Sequence, residues 1–290
     1  MNNKDDNDDK SNHDDDDEED FDIYLQMIQF RSIRNQDGLE TAIEVQWKDD
    51  ETTKMHLSTK LQEGDLAPLF DGAQWAGTRV WNAAIAMIQY VVRSYHDDDD
   101  DDRHHILSNQ RNNHHPTDSS NQPILLELGC GLGVPGMILH ALYGCETYLT
   151  DQESILSQLE YNIHANQNQN NDHCNIHALP LTWTPDDPLL QRHQFTMVIN
   201  CDCIYEPLYG DSWKSLVSVL DTILAKSPDT IVLTSVERRT ADGIDHFLHD
   251  LENSSHVSHV KRVWQDEDYH IEIYQAYGLM PQSKEENVKT

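Results

Sequence analysis

The sequence predicts an α/β fold: a largely parallel sheet of seven strands covered by helices on both faces, preceded by an N-terminal β-hairpin. Three observations predict it. From Pro123 onward short apolar runs alternate with helical stretches, one of those runs (Ile124 to Leu128) passes straight into a glycine-rich turn, and near the N-terminus apolar and polar residues alternate strictly. Strand and helix in strict turn give parallel neighbours joined by crossovers, whereas period-two alternation marks a half-buried sheet.

Taken in order, residues 1 to 21 (MNNKDDNDDKSNHDDDDEEDF) are too charged to bury a core and read as a solvated acidic tail. Ile23, Leu25 and Met27 alternate with polar neighbours, as do Ile43, Val45 and Trp47, which predicts the two strands of the hairpin. Trp81, Ala84, Ile85, Met87 and Ile88 recur at helical spacing and predict a helix running to about Tyr95. Residues 96 to 122 carry six consecutive Asp and two His-His pairs without periodicity, and read as a disordered insertion rather than a metal site. Strands follow at Ile124–Leu128, Thr147–Thr150, Cys174–Leu179, Thr196–Asp202, Thr230–Val236, Val257–Trp264 and His270–Ala276. Helices are expected near Val134–Tyr143, Glu153–Asn166, Trp213–Ala225 and Asp242–Leu251. The last two strands have no helix between them, so an antiparallel hairpin should finish the sheet. Residues 22 to 279 are thus expected to form one domain, with 280 to 290 as a C-terminal tail.

Charge and composition exclude several classes. The formal net charge is −32, half of it in residues 1 to 22 and the Asp97–Asp102 run, and no basic cluster offsets it. Such a surface repels a phosphate backbone, so no nucleic-acid partner is expected. No apolar stretch approaches the roughly 20 residues a bilayer span needs, and the acidic start is unlike a secretory signal. Five Cys without a Cys-x-x-Cys pair fit a reduced compartment, cytoplasm or nucleus.

The chemistry concentrates in ILLELGCGLGVPG, Ile124 to Gly136. Glycines after a buried strand let a ligand approach the backbone at the carboxyl end of that strand. The segment fits two patterns. Gly131, Gly133 and Gly136 give the G-x-G-x-x-G of a dinucleotide enzyme, while Glu127 with Gly129, Gly131 and Gly133 gives E-x-G-x-G-x-G, which resembles motif I of S-adenosylmethionine-dependent methyltransferases. A dinucleotide needs a helix N-terminus aimed at its pyrophosphate. An acid at Glu127 suits a cationic ligand better, and Asp151, ending YLTD, would bind ribose hydroxyls under either pattern.

Four further pieces decide the resemblance: Trp81-Asn-Ala-Ala, Leu-Thr-Trp183, Asp202-Cys-Ile-Tyr205 and Ser235-Val-Glu-Arg-Arg. With motif I, and in this order and spacing, they resemble the seven-strand protein lysine methyltransferases of methyltransferase family 16, over about Asp22 to Tyr277 without the insertion. Within the family, GTRVWNAAIAMIQY, NCDCIY, VERRTADGIDHFLHDL and YHIEIY are most similar to members acting on an AAA ATPase of the valosin-containing type. Members acting on Hsp70 chaperones or elongation factors are close. The resemblance implies a Rossmann-like class I methyltransferase sheet, S-adenosyl-L-methionine as cofactor, a lysine of a partner protein as methyl acceptor, no metal, and a monomer.

Carried over residue by residue, Trp81 would contact the cofactor from the segment before the sheet. Gly129, Cys130 and Gly131 would line its methionine and ribose part, Asp151 would hold the ribose, Trp183 would border the adenine and Cys201 the cofactor, with Cys203 packing. Asp202 and Tyr205 would be catalytic. Lysine is charged at neutral pH and must lose a proton before its nitrogen can attack, so a carboxylate that directs the amine and an aromatic wall that holds it are suited to the task. Asp211 and Ser212 are better placed than Asp202 to cap the helix from Trp213. Arg238 and Arg239 are family-like in place, but Ser235-Val236-Glu237 stands where relatives often carry an aromatic residue. A small-molecule N-methyltransferase and a non-catalytic binding protein on the same fold remain the rival expectations. Base-methylating enzymes are disfavoured by the lack of a Pro-Pro element after Asp202.

Overall fold

IQFRSIR and ETAIEVQW form the strands β1 (Ile28–Arg34) and β2 (Glu40–Trp47), paired antiparallel with Phe30 opposite Val45. A third strand, β3 (Lys54–Ser58), continues this sheet on the β2 side, with Met55 opposite Val45 and Leu57 opposite Ile43. In the computed structural model the described residues are 28–34, 40–47, 54–58, 77, 79–96, 122–166 and 175–280. The first expected strand, around Ile23 to Met27, lies outside them, and the pairing partner of β2 is the next segment along the chain. β3 was not expected from sequence, because five residues with three polar ones among them carry little periodic signal.

Helix α1 (Asn82–His96) follows, buries Ala83, Ala86, Met87 and Val91, and runs one residue into the stretch assigned to the insertion. Its other boundary residue, Gln122, is anchored: its amide donates to the Gly144 carbonyl at 2.7 Å and accepts from Asn175 at 3.0 Å. The expected tail 1–21, the body of the insertion and residues 281–290 lie outside the described residues.

Strand β4 (Ile124–Leu128) is buried at four of its five positions, which is why it reads as an unbroken apolar run. It leads through α2 (Val134–Tyr143) to β5 (Glu146–Asp151), then through α3 (Glu153–Asn166), against which β3 packs, to β6 (Ile176–Pro180). The chain then returns past the short α4 (Pro188–Arg192) to β7 (Met197–Cys201) on the other side of β4. The short α5 (Glu206–Tyr209) and α6 (Trp213–Lys226) lead to β8 (Ile231–Glu237), and α7 (Ile244–Glu252) leads to the hairpin β9 (Val257–Asp266) and β10 (Ile271–Gly278). The sheet order is β6-β5-β4-β7-β8-β10-β9, parallel except that β10 runs antiparallel to both neighbours. All seven strands expected from Pro123 onward are present within a few residues, and the expected terminal hairpin does close the sheet.

Helices cover both faces. Leu126, Leu128, Val198 and Val236 pack with Trp213, Leu216 and Leu220 of α6 and Phe247 of α7. On the opposite face Leu125, Ile199, Leu233 and Ile273 pack under α1, and Leu149 packs with Ile138 of α2 and Leu159 of α3. Direction of progress reverses between β4 and β7, which splays the connections and opens a crevice at the carboxyl ends of these strands.

Candidate active site

The crevice is a cavity of about 820 Å³, within the size range of small-molecule sites. Its walls come from the segment before α1 (Gly77, Arg79, Trp81), the turn after β4, the end of β5, the loop after β6 (Thr182, Trp183) and the end of β7. Trp81, Glu127, Gly129, Cys130, Gly131, Asp151, Trp183, Cys201 and Asp202 all line it. One expected residue does not: Tyr205 stands at the N-cap of α5, and Leu208 and Tyr209 of that helix line the cavity instead.

The turn after β4 is shaped by close approaches that only glycine permits. Gly131 has φ 52°, and a Cβ there would lie 3.0 Å from the Gly77 carbonyl oxygen, so the turn and the pre-α1 segment meet backbone to backbone. The Gly131 N–H donates to Asp151 Oδ2 at 2.7 Å, and Gln152 N–H donates to Oδ1 at 2.7 Å. Asp151 therefore holds the glycine turn as well as facing the cavity. Burial raises its carboxyl above the ordinary range and these two N–H groups oppose the shift. The Cys203 thiol, beneath Gly129, donates to the Leu128 carbonyl at 3.3 Å, in keeping with a packing role.

Glu127 is fully enclosed on the α1/α2 face, and its Oε2 accepts the Gly136 N–H of the first turn of α2 at 2.8 Å. Burial pushes its carboxyl from 4.5 up to about 8. Since the folded value exceeds the unfolded one, the group's stabilising contribution is complete below about pH 4.5 and is lost as pH rises toward 8. Glu127→Gln should accordingly melt like wild type at pH 4 and be more stable by about 4 kcal/mol at pH 8. Parallel melting curves at every pH would refute this.

Asp202 follows β7 with φ 55°, a left-handed conformation that Asp tolerates better than most residues. Its backbone N–H donates to the Ser235 carbonyl at 2.8 Å, which turns the side chain toward β8. There the carboxylate accepts from the Glu237 N–H at 3.3 Å and from Arg239 through both guanidinium nitrogens, Nη1 to Oδ1 at 3.1 Å and Nη2 to Oδ2 at 2.7 Å. The Asp202 side chain is only 4% exposed. Burial raises its carboxyl, and the guanidinium opposes that shift. The Arg239 guanidinium also stacks on the rings of Tyr205 and Trp81, at 5.3 and 5.6 Å from their centroids. The aromatic wall expected to receive a cation is thus already in contact with one from the chain itself.

Asp211 and Ser212 do not cap α6 through their side chains. Ser212 makes no side-chain cap bond, and Asp211 instead pairs with Lys214 at 2.9 Å. Among the described residues no group of three His, Cys, Asp or Glu could hold a metal ion, and no helix is long and apolar enough to cross a membrane. The two His-His pairs lie outside the described residues.

A seven-stranded sheet of this order, with a glycine turn after β4 and an acid ending β5 beside a cavity at the switch point, defines the Rossmann-like class I methyltransferase fold. The chain belongs to the lysine methyltransferase family, methyltransferase family 16, which matches residues 60–254. Its relatives include the protein N-lysine methyltransferase METTL21A of Danio rerio, 28% identical over 152 residues that cover 52% of this chain and 65% of that protein. The EEF1A lysine methyltransferase 3 of Xenopus tropicalis is 29% identical over 147 residues, covering 51% and 61%. The secreted RxLR effector protein 48 of Plasmopara viticola is 37% identical over 126 residues, covering 40% and 64%. The chain thus spans less than two thirds of the length of these curated relatives. Among solved structures, the delta-N METTL16 MTase domain aligns at 12% identity with a TM-score of 0.42, over 69% of this chain and 83% of that one.

Proposed function

We propose that the protein is an S-adenosylmethionine-dependent protein-lysine N-methyltransferase. The observation that carries the reading is the placement of Asp202, a buried carboxylate, on the wall of the same cavity that Gly129, Gly131 and Asp151 line. The cavity suits the cofactor's chemistry: a buried acid at Glu127 for a ligand bearing ammonium and sulfonium, an acid at Asp151 for ribose hydroxyls, and the Trp183 ring for a flat base. When bound, S-adenosylmethionine would supply a methyl group on a positively charged sulfur, which would take back the C–S electron pair as the methyl passes to the electron pair of a neutral lysine nitrogen.

The chain's own residues position and exclude. Asp202 accepts a hydrogen bond from the lysine amine and directs its lone pair. Trp81 and Tyr209 wall off water. The proton that the ammonium must lose passes to solvent. Asp151→Ala removes the acceptor for two backbone N–H groups as well as a ligand for the ribose, and should weaken S-adenosylmethionine binding by about 10–100-fold in calorimetry. Unchanged affinity would remove Asp151 from the site.

The target is read as a folded partner of AAA ATPase, chaperone or elongation-factor type, and the EEF1A lysine methyltransferase among the relatives supports a protein substrate. The acidic surface argues against a nucleic-acid partner, and free Cys130, Cys145, Cys201 and Cys203 support a reduced compartment, cytoplasm or nucleus. The same reading takes 22–279 as one monomeric domain with an insertion at 96–122 and tails at 1–21 and 280–290. Incubation of the full chain with methyl-labelled cofactor and cell lysate, followed by mass spectrometry, should find lysines of one or a few proteins methylated. Label confined to small molecules or nucleic acid would sink the reading.

A further inference from the structure

Asp202 has a partner that methyl transfer does not obviously want. A lone buried carboxylate beside a lysine would hold it as an ammonium, because an opposite charge in a desolvated site favours the charged form. An ammonium has no electron pair to donate. Asp202 is not alone: Arg239 engages both of its oxygens, at 3.1 and 2.7 Å. With the Glu237 N–H, three of about four acceptor positions are taken, leaving one on Oδ2.

We propose that Arg239 is a positioning residue that lets Asp202 orient the acceptor lysine without trapping it as an ammonium. The inference rests on the methyltransferase reading above. With its charge offset, the Asp202 carboxylate offers one directed acceptor, and the guanidinium beside it disfavours a second cation, so the bound lysine gives up its proton to solvent and stays neutral. Arg239 is well suited, being always protonated and planar, which fits a two-oxygen grip on Asp202 and stacking on Tyr205 and Trp81. The pair also spans two spaces. Asp202 lines the inner cavity, while Arg239 lines an outer one of about 620 Å³ shared with Thr240, Asp242, His246 and His270. A lysine reaching Asp202 from that side passes the guanidinium.

Other charged groups surround the pair. Glu237 on β8 shares Nη2 at 2.9 Å, but at 27% exposure against 4% for Asp202 it is the better screened by water. Asp242 accepts the Arg239 backbone N–H at 2.8 Å, Arg79 lies over the Trp81 ring at 5.3 Å from its centroid, and Tyr209 and Asp151 line the inner cavity together with Asp202. Arg239 is the cation in direct contact with the Asp202 carboxylate.

The test compares full-length wild type, Arg239→Gln and Arg239→Lys, using labelled S-adenosylmethionine and total lysate protein as acceptor from pH 6 to 10, with rates read on the bands wild type labels. Arg239→Gln should move the acidic limb of the maximal rate up by about one pH unit and lower the rate at pH 7.5 about tenfold. The acceptor concentration for half-maximal rate should not rise, and Arg239→Lys, which keeps the charge, should reverse most of the shift. An unshifted limb, or a faster enzyme at pH 7.5 as expected if Arg239 merely blocks the site, would overturn the proposal. A second readout needs no turnover. Without its counter-ion, Asp202 should make the Arg239→Gln protein progressively less stable than wild type as pH rises from 5 to 8, and a deficit independent of pH would also overturn it. If wild type binds S-adenosylmethionine but labels no protein at any pH, the lysine methyltransferase reading itself falls, and the role of Arg239 falls with it.

Discussion

Asp202→Asn is expected to lower the rate of methyl transfer at least about 100-fold, roughly 2.7 kcal/mol of barrier, while cofactor binding stays within a few fold. Asparagine is the informative replacement. It tolerates the left-handed φ of 55° that an alanine would strain, matches the carboxylate in size, and keeps an oxygen for the Glu237 N–H. What it loses is the charge that grips Arg239 and the second oxygen that would direct the lysine amine. The variant also leaves Arg239 with only Glu237 as a carboxylate partner, at 2.9 Å. Single-turnover rates together with cofactor titrations separate the two effects. Retention of most activity in a variant that binds cofactor normally would remove Asp202 from the chemistry.

Gly136→Ala should destabilise the protein by about 2–3 kcal/mol even though alanine is the better helix former. The added Cβ would lie 2.3 Å from Leu149 Cδ2 and 2.6 Å from Glu127 Oε2. Neither can yield: Leu149 is fully buried in β5, and Glu127 is held by the very N–H of residue 136. α2 must then lift from the sheet, opening the floor of the cavity. At this chain length the expected drop in Tm is roughly 5–10 °C. Gly144→Ala serves as control. Its φ is 65°, but nothing lies within 4 Å of a Cβ there, so only the conformational cost of about 1 kcal/mol applies. Equal losses in the two variants would show that packing against Leu149 and Glu127 is not the cause.

Much of this was legible in the sequence because it is local. β4 announces itself as an apolar run buried on both faces at four of its five positions, and the glycines after it by their type alone. Asp151 ends β5 where a parallel strand must deliver a side chain to the crevice. The short helices α4 and α5 went unpredicted although each carries a start signal, Pro188 after an Asp187 that caps Leu189 N–H at 2.8 Å, and Pro207 after Glu206. Five and four residues are too few for periodicity to register. The Asp202–Arg239 pair was illegible for a different reason. It joins residues 37 positions apart, and its geometry depends on β7 and β8 lying side by side with both ends turned the same way. Tyr205 illustrates the same limit: its residue type suggested a wall for a ligand, yet the turn into α5 sets it against Arg239, and Tyr209 one helical turn on faces the cavity.

The order of the last three strands has a consequence for the birth of the molecule on the ribosome. β8 pairs with β10, and β9 reaches the sheet only through β10. When Val257 to Asp266 emerges, its eventual neighbour has not been made, and the backbone N–H and C=O groups along that edge of β8 have no partner strand. Only with residues 271 to 278 does the sheet acquire its final two strands together, bringing Ile271 and Ile273 under α1. Folding of this domain is therefore a step completed after most of its chain has been synthesised, and a ribosome stalled before Ile271 would display an open strand edge of unpaired backbone groups to its surroundings.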